Sequence, residues 1–377
     1  MQKEKIIQEL EELKNDNRFR TIKTNDKSLY NFSSNDYLGL AHDKDLLQKF
    51  YQNYNFDNYK LSSSSSRLID GSYLTVMRLE KKVEEIYKKP CLVFNSGFDA
   101  NSSVIETFFD KKSLIITDRL NHASIYEGCI NSRAKILRYK HLDVSALEKL
   151  LKKYSEDYDD ILVVTETVYS MDGDCAEIKK ICDLKDKYNF NLMVDEAHSY
   201  GVYGYGIAYN EKLVDKIDFL VIPLGKAGAS VGAYVICDEI YKNYLINKSK
   251  KFIYSTALPP VNNLWNLFVL ENLINFQDRI EKFQELVAFS LNTLKKLNLK
   301  TKSTSHIISI IIGDNLNTVN LSNNLKELGY LAYAIKEPTV PKDTARLRIS
   351  LTADMKKEDI ETFFKILKAE MKKIGVI

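Results

Sequence analysis

The chain has 377 residues, room for one large or two to three ordinary domains and ample for a buried core. With 54 Lys+Arg against 51 Asp+Glu the formal charge is +3, and 28% of residues are charged and 45% hydrophobic. A disordered chain, a collagen-like fibre and a strongly basic nucleic-acid binder fit these values poorly.

The longest apolar runs, Phe219–Leu224 and His306–Ile312, fall far short of the ~18–20 residues that span a bilayer, so no membrane segment is expected. The opening Met1–Leu10 mixes charges of both signs and lacks the apolar core of a secretory signal, which predicts a cytoplasmic protein. Cys91, Cys129, Cys175, Cys182 and Cys237 are odd in number and contain no C-x-x-C pair, a pattern suited to a reducing compartment rather than a disulfide framework.

Ile6, Leu10 and Leu13 recur at i, i+4 and i+7, the stripe of an amphipathic helix laid on something larger, and predict an N-terminal helical arm over 1–40. The run Ser62–Ser66 has linker composition but abuts Arg67 and Gly71 in an otherwise folded stretch. Short β-rich runs follow at Cys91–Phe94, Ser113–Thr117, Ile136–Tyr139, Ile161–Thr165, Phe190–Val194, Asp218–Ile222 and Ala233–Cys237, separated by helix-length segments. Strands alternating with helices indicate βαβ units and a mostly parallel sheet. Runs such as Ile161–Val164 are apolar at every position, as in strands covered on both faces, so a three-layer α/β large domain is expected over 41–260. After Pro259–Pro260 the pattern turns to long helices up to Leu297, a strand at His306–Ile312, a helix near Leu321–Leu328 and a last helix with Ile360, Phe364, Leu367 and Met371 on one face. This predicts a smaller α+β domain over 261–377.

Ligands bind beyond the C-terminal ends of parallel strands, and the unusual polar residues gather there. Asn95–Asn101 is a Gly-containing turn opening a helix, whose free N–H groups suit a phosphate. Asp195 stands at the end of a strand with His198 three residues on, a pattern equally open to a metal site or a capped helix. Lys226 lies in the small-residue loop Pro223–Gly232. Leu220 occupies the position where an ATP-binding Gly-rich loop needs glycine, and Gly201, Gly204 and Gly206 have the wrong spacing for a dinucleotide site. A lysine, an acid and a phosphate-type turn together are what a Schiff-base cofactor with a phosphate handle requires.

The segments Asn31–Leu40, Asp118–Ser124, Val168–Asp174, Val194–Ser199, Lys226 and Ile253–Pro260 stand in the order found in the α-oxoamine synthases, and from about residue 18 onward the chain resembles that family. The resemblance implies pyridoxal-phosphate (PLP) transferase fold type I, a three-layer large domain around a mostly parallel seven-stranded sheet plus a smaller C-terminal domain. It implies a homodimer with the active site at the subunit interface. Lys226 would carry PLP, Asp195 would hold the ring nitrogen protonated, His198 would bond the ring oxygen and His122 would lie on the ring face. Gly97, Phe98 and Ser170, with Ser255 and Thr256 from the other subunit, would hold the phosphate. Arg348 would clamp an amino-acid carboxylate, and Arg20, Asn35 and Thr339 match further substrate positions. Pro338–Pro341 and Thr344–Ala353 most resemble the members that condense L-alanine with pimeloyl-CoA or pimeloyl-acyl-carrier protein in biotin biosynthesis.

Two positions depart from the family pattern: Ser62–Ser66 replaces a Gly-rich run, and Pro223 replaces a threonine three residues before the lysine. The first reduces backbone freedom at a substrate-facing loop, and the second removes a hydroxyl from the phosphate site. Arg346 shares a strand face with Arg348, so spacing alone does not choose between them. His42, His141 and His306 match no motif. A glycine C-acetyltransferase of the same family and a PLP-fold binding subunit without catalysis are the competing readings, the latter opposed by the presence of Lys226, Asp195 and His122.

Overall fold

A computed structural model describes residues 2–22, 24, 28–54 and 60–377. These form two compact units, one of Asp36–Tyr169 with Cys175–Glu281, the other of Met1–Asn35, Ser170–Asp174 and Lys282–Ile377.

The larger unit is built on a seven-stranded sheet in the spatial order Cys91–Phe94, Ala233–Cys237, Phe219–Pro223, Asn191–Asp195, Ile161–Glu166, Leu114–Asp118, Lys135–Tyr139. Ala233–Cys237 runs antiparallel to both neighbours and every other pairing is parallel. The seven strands expected from apolar runs are all present. Strands such as Ile161–Glu166 and Phe219–Pro223 are buried at every position, as the lack of alternation requires. The edge strand Lys135–Tyr139 instead exposes Lys135 and Arg138, charges that discourage pairing with another chain. Helix Gly97–Phe108 packs its Ala100, Val104 and Ile105 into the core beside Leu92, Val164 and Val221.

The serine run is part of this framework rather than a linker. Ser66 bridges Thr256, the Ala257 amide donates to the Ser65 carbonyl at 3.0 Å, and Ser63 Oγ donates to the Leu258 carbonyl. Residues 261–281, expected with the C-terminal domain, group with the larger unit because helix Pro260–Asn272 packs on helix Leu74–Tyr87.

The smaller unit centres on a three-stranded antiparallel sheet with Ala345–Ser350 between Tyr333–Ile335 and Ile307–Gly313. The final helix, Lys357–Lys373, buries Ile360, Phe364, Leu367 and Met371 as the periodicity predicts. Of the arm expected over 1–40, residues 1, 23 and 25–27 lie outside the described residues. Helix Gln2–Asn15 forms with Ile6 and Leu10 exposed. Residues 30–32 are stitched into the smaller unit, where Tyr30–Asn31 pairs with Tyr330–Leu331, the Ser350 amide donates to the Phe32 carbonyl at 2.7 Å, and Phe32 stacks on Phe363. The arm therefore shares a core with the C-terminal residues.

Ser170–Asp174 leaves the larger unit and is pinned inside the smaller one. The Thr304 amide donates to the Gly173 carbonyl at 2.9 Å, and Gly173 has φ +70, where a Cβ would stand 1.8 Å from the Ile307 carbonyl oxygen. Both the left-handed backbone and the contact demand glycine. Gly173→Ala is expected to cost at least about 2 kcal/mol and to lower Tm by about 5 °C or more, measured by thermal unfolding.

Candidate active site

In the larger unit the predicted cofactor residues other than Ser170, which falls in the smaller unit, stand on or near the ends of successive strands. Ser96 caps helix Gly97–Phe108 by accepting the Asp99 amide at 3.0 Å, which leaves the amides of Gly97 and Phe98 in the first turn without an intrahelical acceptor. A Cβ at Gly97 would lie 2.6 Å from the Pro223 ring, so glycine lets the last residue of Phe219–Pro223 press on the helix start. Lys226 follows three residues later in the loop.

Asp195 is buried at the end of its strand. Its Oδ2 accepts from Asn101 Nδ2 at 2.6 Å and its Oδ1 from the Ala197 amide at 2.7 Å. Asn101 also donates to Ser124 Oγ at 3.0 Å, while its own Oδ1 is buried with no partner among the described residues. His122 caps the next helix, its Nδ1 2.8 Å from Ser124 Oγ and accepting the Ser124 amide, which leaves the ring proton on Nε2. Desolvation holds this imidazole below its ordinary value. The Asp195 charge opposes that shift and the Lys226 charge adds to it, so two other predicted residues act on the His122 ring. His198 is fixed by Tyr37, whose Oη lies 2.7 Å from Nδ1.

Glu166 completes the group. It is paired in register with Asp195 and accepts the His122 amide. Burial first and the Asp195 charge second raise its carboxyl well above the usual range. Thr256 lies beside the helix start of the same chain, where Asn95 Nδ2 donates to its carbonyl at 2.6 Å.

The predicted substrate residues gather in the smaller unit. Arg348 Nε donates to the Ser170 carbonyl at 2.6 Å, and its Nη1 donates to Asn35 Oδ1 at 3.1 Å and Ser350 Oγ at 2.7 Å. Arg346 makes an ion pair with Asp172 at 2.7 Å. Arg20 Nη2 donates to Thr339 Oγ1 at 3.0 Å, and both line a cavity of about 540 Å³ that also takes in Lys336.

Asn101, Glu166 and Tyr37 were missed as site residues by sequence reasoning. Tyr37 and Asn101 stood inside segments already singled out, and Glu166 offered one signal, an acid closing an otherwise apolar strand. The residues fit PLP: a buried carboxylate held by two donors suits a pyridinium nitrogen, the glycine-opened helix start suits the phosphate, and Lys226 stands in the loop that joins strands Phe219–Pro223 and Ala233–Cys237.

The aminotransferase class I and II family model matches residues 27–367. A Pasteurella multocida protein carrying the provisional name 8-amino-7-oxononanoate synthase is 40% identical over 376 residues, covering 96% of this chain and 97% of its own. The crystal structure of 8-amino-7-oxononanoate synthase from Francisella tularensis is 29% identical, with a TM-score of 0.79 and coverage of 92% of this chain and 99% of its own. The structure of SPT with a PLP internal aldimine is 25% identical, with a TM-score of 0.88 and coverage of 99% and 98%. The chain belongs to the aminotransferase class I and II family and has its fold. Within that family it is a PLP-dependent acyltransferase of the 8-amino-7-oxononanoate synthase type.

His306 gives the smaller unit a pH dependence. The imidazole is fully buried, and burial first and the Arg348 charge second push it down to about 3. A folded value below the unfolded one means its contribution is present above about 6.5 and is lost as pH falls toward 3. Between pH 6.5 and 5 the wild type should lose about 2 kcal/mol that His306→Asn does not lose, read by urea unfolding at the two pH values.

Proposed function

We propose that the chain condenses L-alanine with a pimeloyl thioester, pimeloyl-CoA or pimeloyl-acyl-carrier protein, releasing CO2 and the free thiol and forming 8-amino-7-oxononanoate for biotin biosynthesis. The names of its relatives support the substrates. The observation that carries the chemistry is the convergence of Lys226, Asp195 and His122 on one polar strand-end cluster.

PLP, when bound, supplies a protonated pyridine ring that takes up the electron pair left on the amino acid's Cα. Lys226 is proposed to hold the cofactor's aldehyde carbon and, once displaced by the substrate amine, to take the Cα proton as a general base. Asp195, fixed by Asn101 and Ala197, would keep the proton on the ring nitrogen. His198, held by Tyr37, would bond the ring oxygen, His122 would face the ring, and Gly97, Phe98 and Ser170 would serve the phosphate. The Cα then attacks the thioester carbonyl, the C–S bond breaks and the thiol leaves. The former carboxylate departs as CO2 and a proton returns to Cα.

Arg348 rather than Arg346 is assigned the amino-acid carboxylate. Arg346 is already engaged by Asp172, whereas the hydrogen bonds of Arg348 to Ser170, Asn35 and Ser350 go to neutral oxygens. Arg20, Asn35 and Thr339 are assigned further substrate contacts. The working form is proposed to be a cytoplasmic homodimer in which Ser255 and Thr256 serve the partner's phosphate site.

The test is turnover of purified enzyme with L-alanine and pimeloyl-CoA against glycine and acetyl-CoA. Preference for the alanine pair is expected, and preference for the glycine pair would transfer the chain to the acetyltransferases. Lys226→Ala should lower kcat by about 10³-fold or more, and Arg348→Lys should raise KM for alanine about tenfold or more, because lysine cannot form the planar bidentate pair. Asn101→Leu removes one charge-assisted hydrogen bond from Asp195 and should weaken PLP binding about 10- to 100-fold, measured by cofactor titration.

A further inference from the structure

The loop that carries Lys226 turns back sharply on itself. The Ala229 amide donates to the Lys226 carbonyl at 2.8 Å, the Ser230 amide to the Leu224 carbonyl at 3.1 Å and the Leu224 amide to the Gly232 carbonyl at 3.0 Å. Ala229, which closes the turn begun by Lys226, has φ +48. In this left-handed region an L residue crowds its Cβ against the following carbonyl, and glycine is the usual occupant. Such a residue persists only where its surroundings over-determine it.

The surroundings here are one face of helix Pro260–Asn272. Trp265 Nε1 donates to the Ala229 carbonyl at 3.0 Å, Asn262 Nδ2 to Ser230 Oγ at 2.7 Å and Asn266 Nδ2 to the Val231 carbonyl at 3.2 Å. Positions 262, 265 and 266 are spaced i, i+3 and i+4, so they share a face, and they meet three consecutive loop residues. The helix is fixed in turn. It packs on Leu74–Tyr87, and the Trp265 ring meets Phe50 edge-on at 5.1 Å and lies 5.8 Å from Phe268, both of them buried. Packing therefore aims the indole, and its one donor goes to the strained residue.

We infer, resting on the assignment of PLP to Lys226 above, that Trp265 is a positioning residue for that lysine, with Asn262 and Asn266 beside it. By holding Ala229 in its left-handed conformation the indole keeps the turn closed and sets where the lysine side chain leaves the backbone. A misplaced amine would meet the cofactor's aldehyde carbon and the substrate's Cα proton in poorer geometry, a loss felt in turnover rather than in binding of alanine.

The test is a spectrophotometric pH titration of the visible PLP band of the holoenzyme, with steady-state kinetics for L-alanine beside it. Borohydride should fix the cofactor covalently to the wild-type chain and not to Lys226→Ala; covalent fixing in Lys226→Ala would overturn the lysine assignment and the positioning role with it. Trp265→Phe keeps the ring and loses the donor. It should shift the midpoint of the band by about half a pH unit or more, a roughly threefold change in the proton equilibrium, and lower kcat about tenfold while KM for alanine stays within about twofold. Asn262→Ala, which leaves the packed ring untouched, should shift the midpoint the same way by less. Adding Ala229→Gly to Trp265→Phe should return most of both changes, because glycine adopts this φ without the clamp. An unchanged midpoint in Trp265→Phe or Asn262→Ala, or no recovery on adding Ala229→Gly, with borohydride labelling of Lys226 intact, would overturn the positioning role and leave the lysine assignment standing.

Discussion

Two carboxylates meet where the strands Ile161–Glu166 and Asn191–Asp195 end, because the parallel register places Glu166 beside Asp195 and both are buried. Two like charges at that spacing in a poorly solvated sheet end would repel strongly. The chain resolves the conflict by division of labour. Burial and the neighbouring Asp195 charge push the Glu166 carboxyl up, and the donors from Asn101 and Ala197 go to Asp195. Much of the surrounding structure follows from this. Helix Gly97–Phe108 must present Asn101 one turn from its start, the next helix must begin at His122 so that its amide meets Glu166, and Ser124 must join Asn101 to the His122 ring. Under the proposed function a carboxylate held in this way faces the ring nitrogen, so the cofactor site and the packing of the sheet end are one problem.

The smaller unit handles charge by similar means. Arg346 and Arg348 lie on the same face of Ala345–Ser350, and the segment Ser170–Asp174 separates their duties by giving Asp172 to one and the Ser170 carbonyl to the other. Gly173 allows that segment to pass close to Ile307, where any side chain would collide. His306 is kept neutral beside Arg348, so the guanidinium does not share its surroundings with a second cation. Under the proposed function Arg348 is kept for an incoming carboxylate, with the Ser170, Asn35 and Ser350 oxygens holding its fork in position.

The strands of the sheet were legible because buried strands flanked by helices leave runs with no polar position, a signal that survives without any tertiary knowledge, whereas their spatial order was not. Asp195 and Lys226 were legible because strand ends in such sheets are where ligands bind. Asn101 and Glu166 were not, since their value comes from a partner 94 residues away in one case and from lateral register in the other. The same limit explains why spacing could not separate Arg346 from Arg348: strand parity puts both on one face, and only the position of Asp172, set by a segment 174 residues distant, distinguishes them. The boundary expected at 260 followed a proline signal that is real, as Pro260 opens a helix, but a helix start is not a domain boundary when the helix packs back onto Leu74–Tyr87.

Pro223 shows how a local departure can be absorbed. In place of a hydroxyl, the chain has a ring that ends the strand Phe219–Pro223 and rests against the α-carbon of Gly97. Proline needs no hydrogen-bond partner for its own nitrogen, and its fixed φ stiffens the entry to the loop that carries Lys226. The glycine is required for the approach, since a Cβ would overlap the ring at 2.6 Å. What the position loses in a polar contact it returns as a rigid seat for the helix start, whose amides are the groups proposed to meet the phosphate. The pair Gly97 and Pro223 therefore has to change together: a larger residue at 97 would push the helix from the strand end, and the amides at its first turn would move with it.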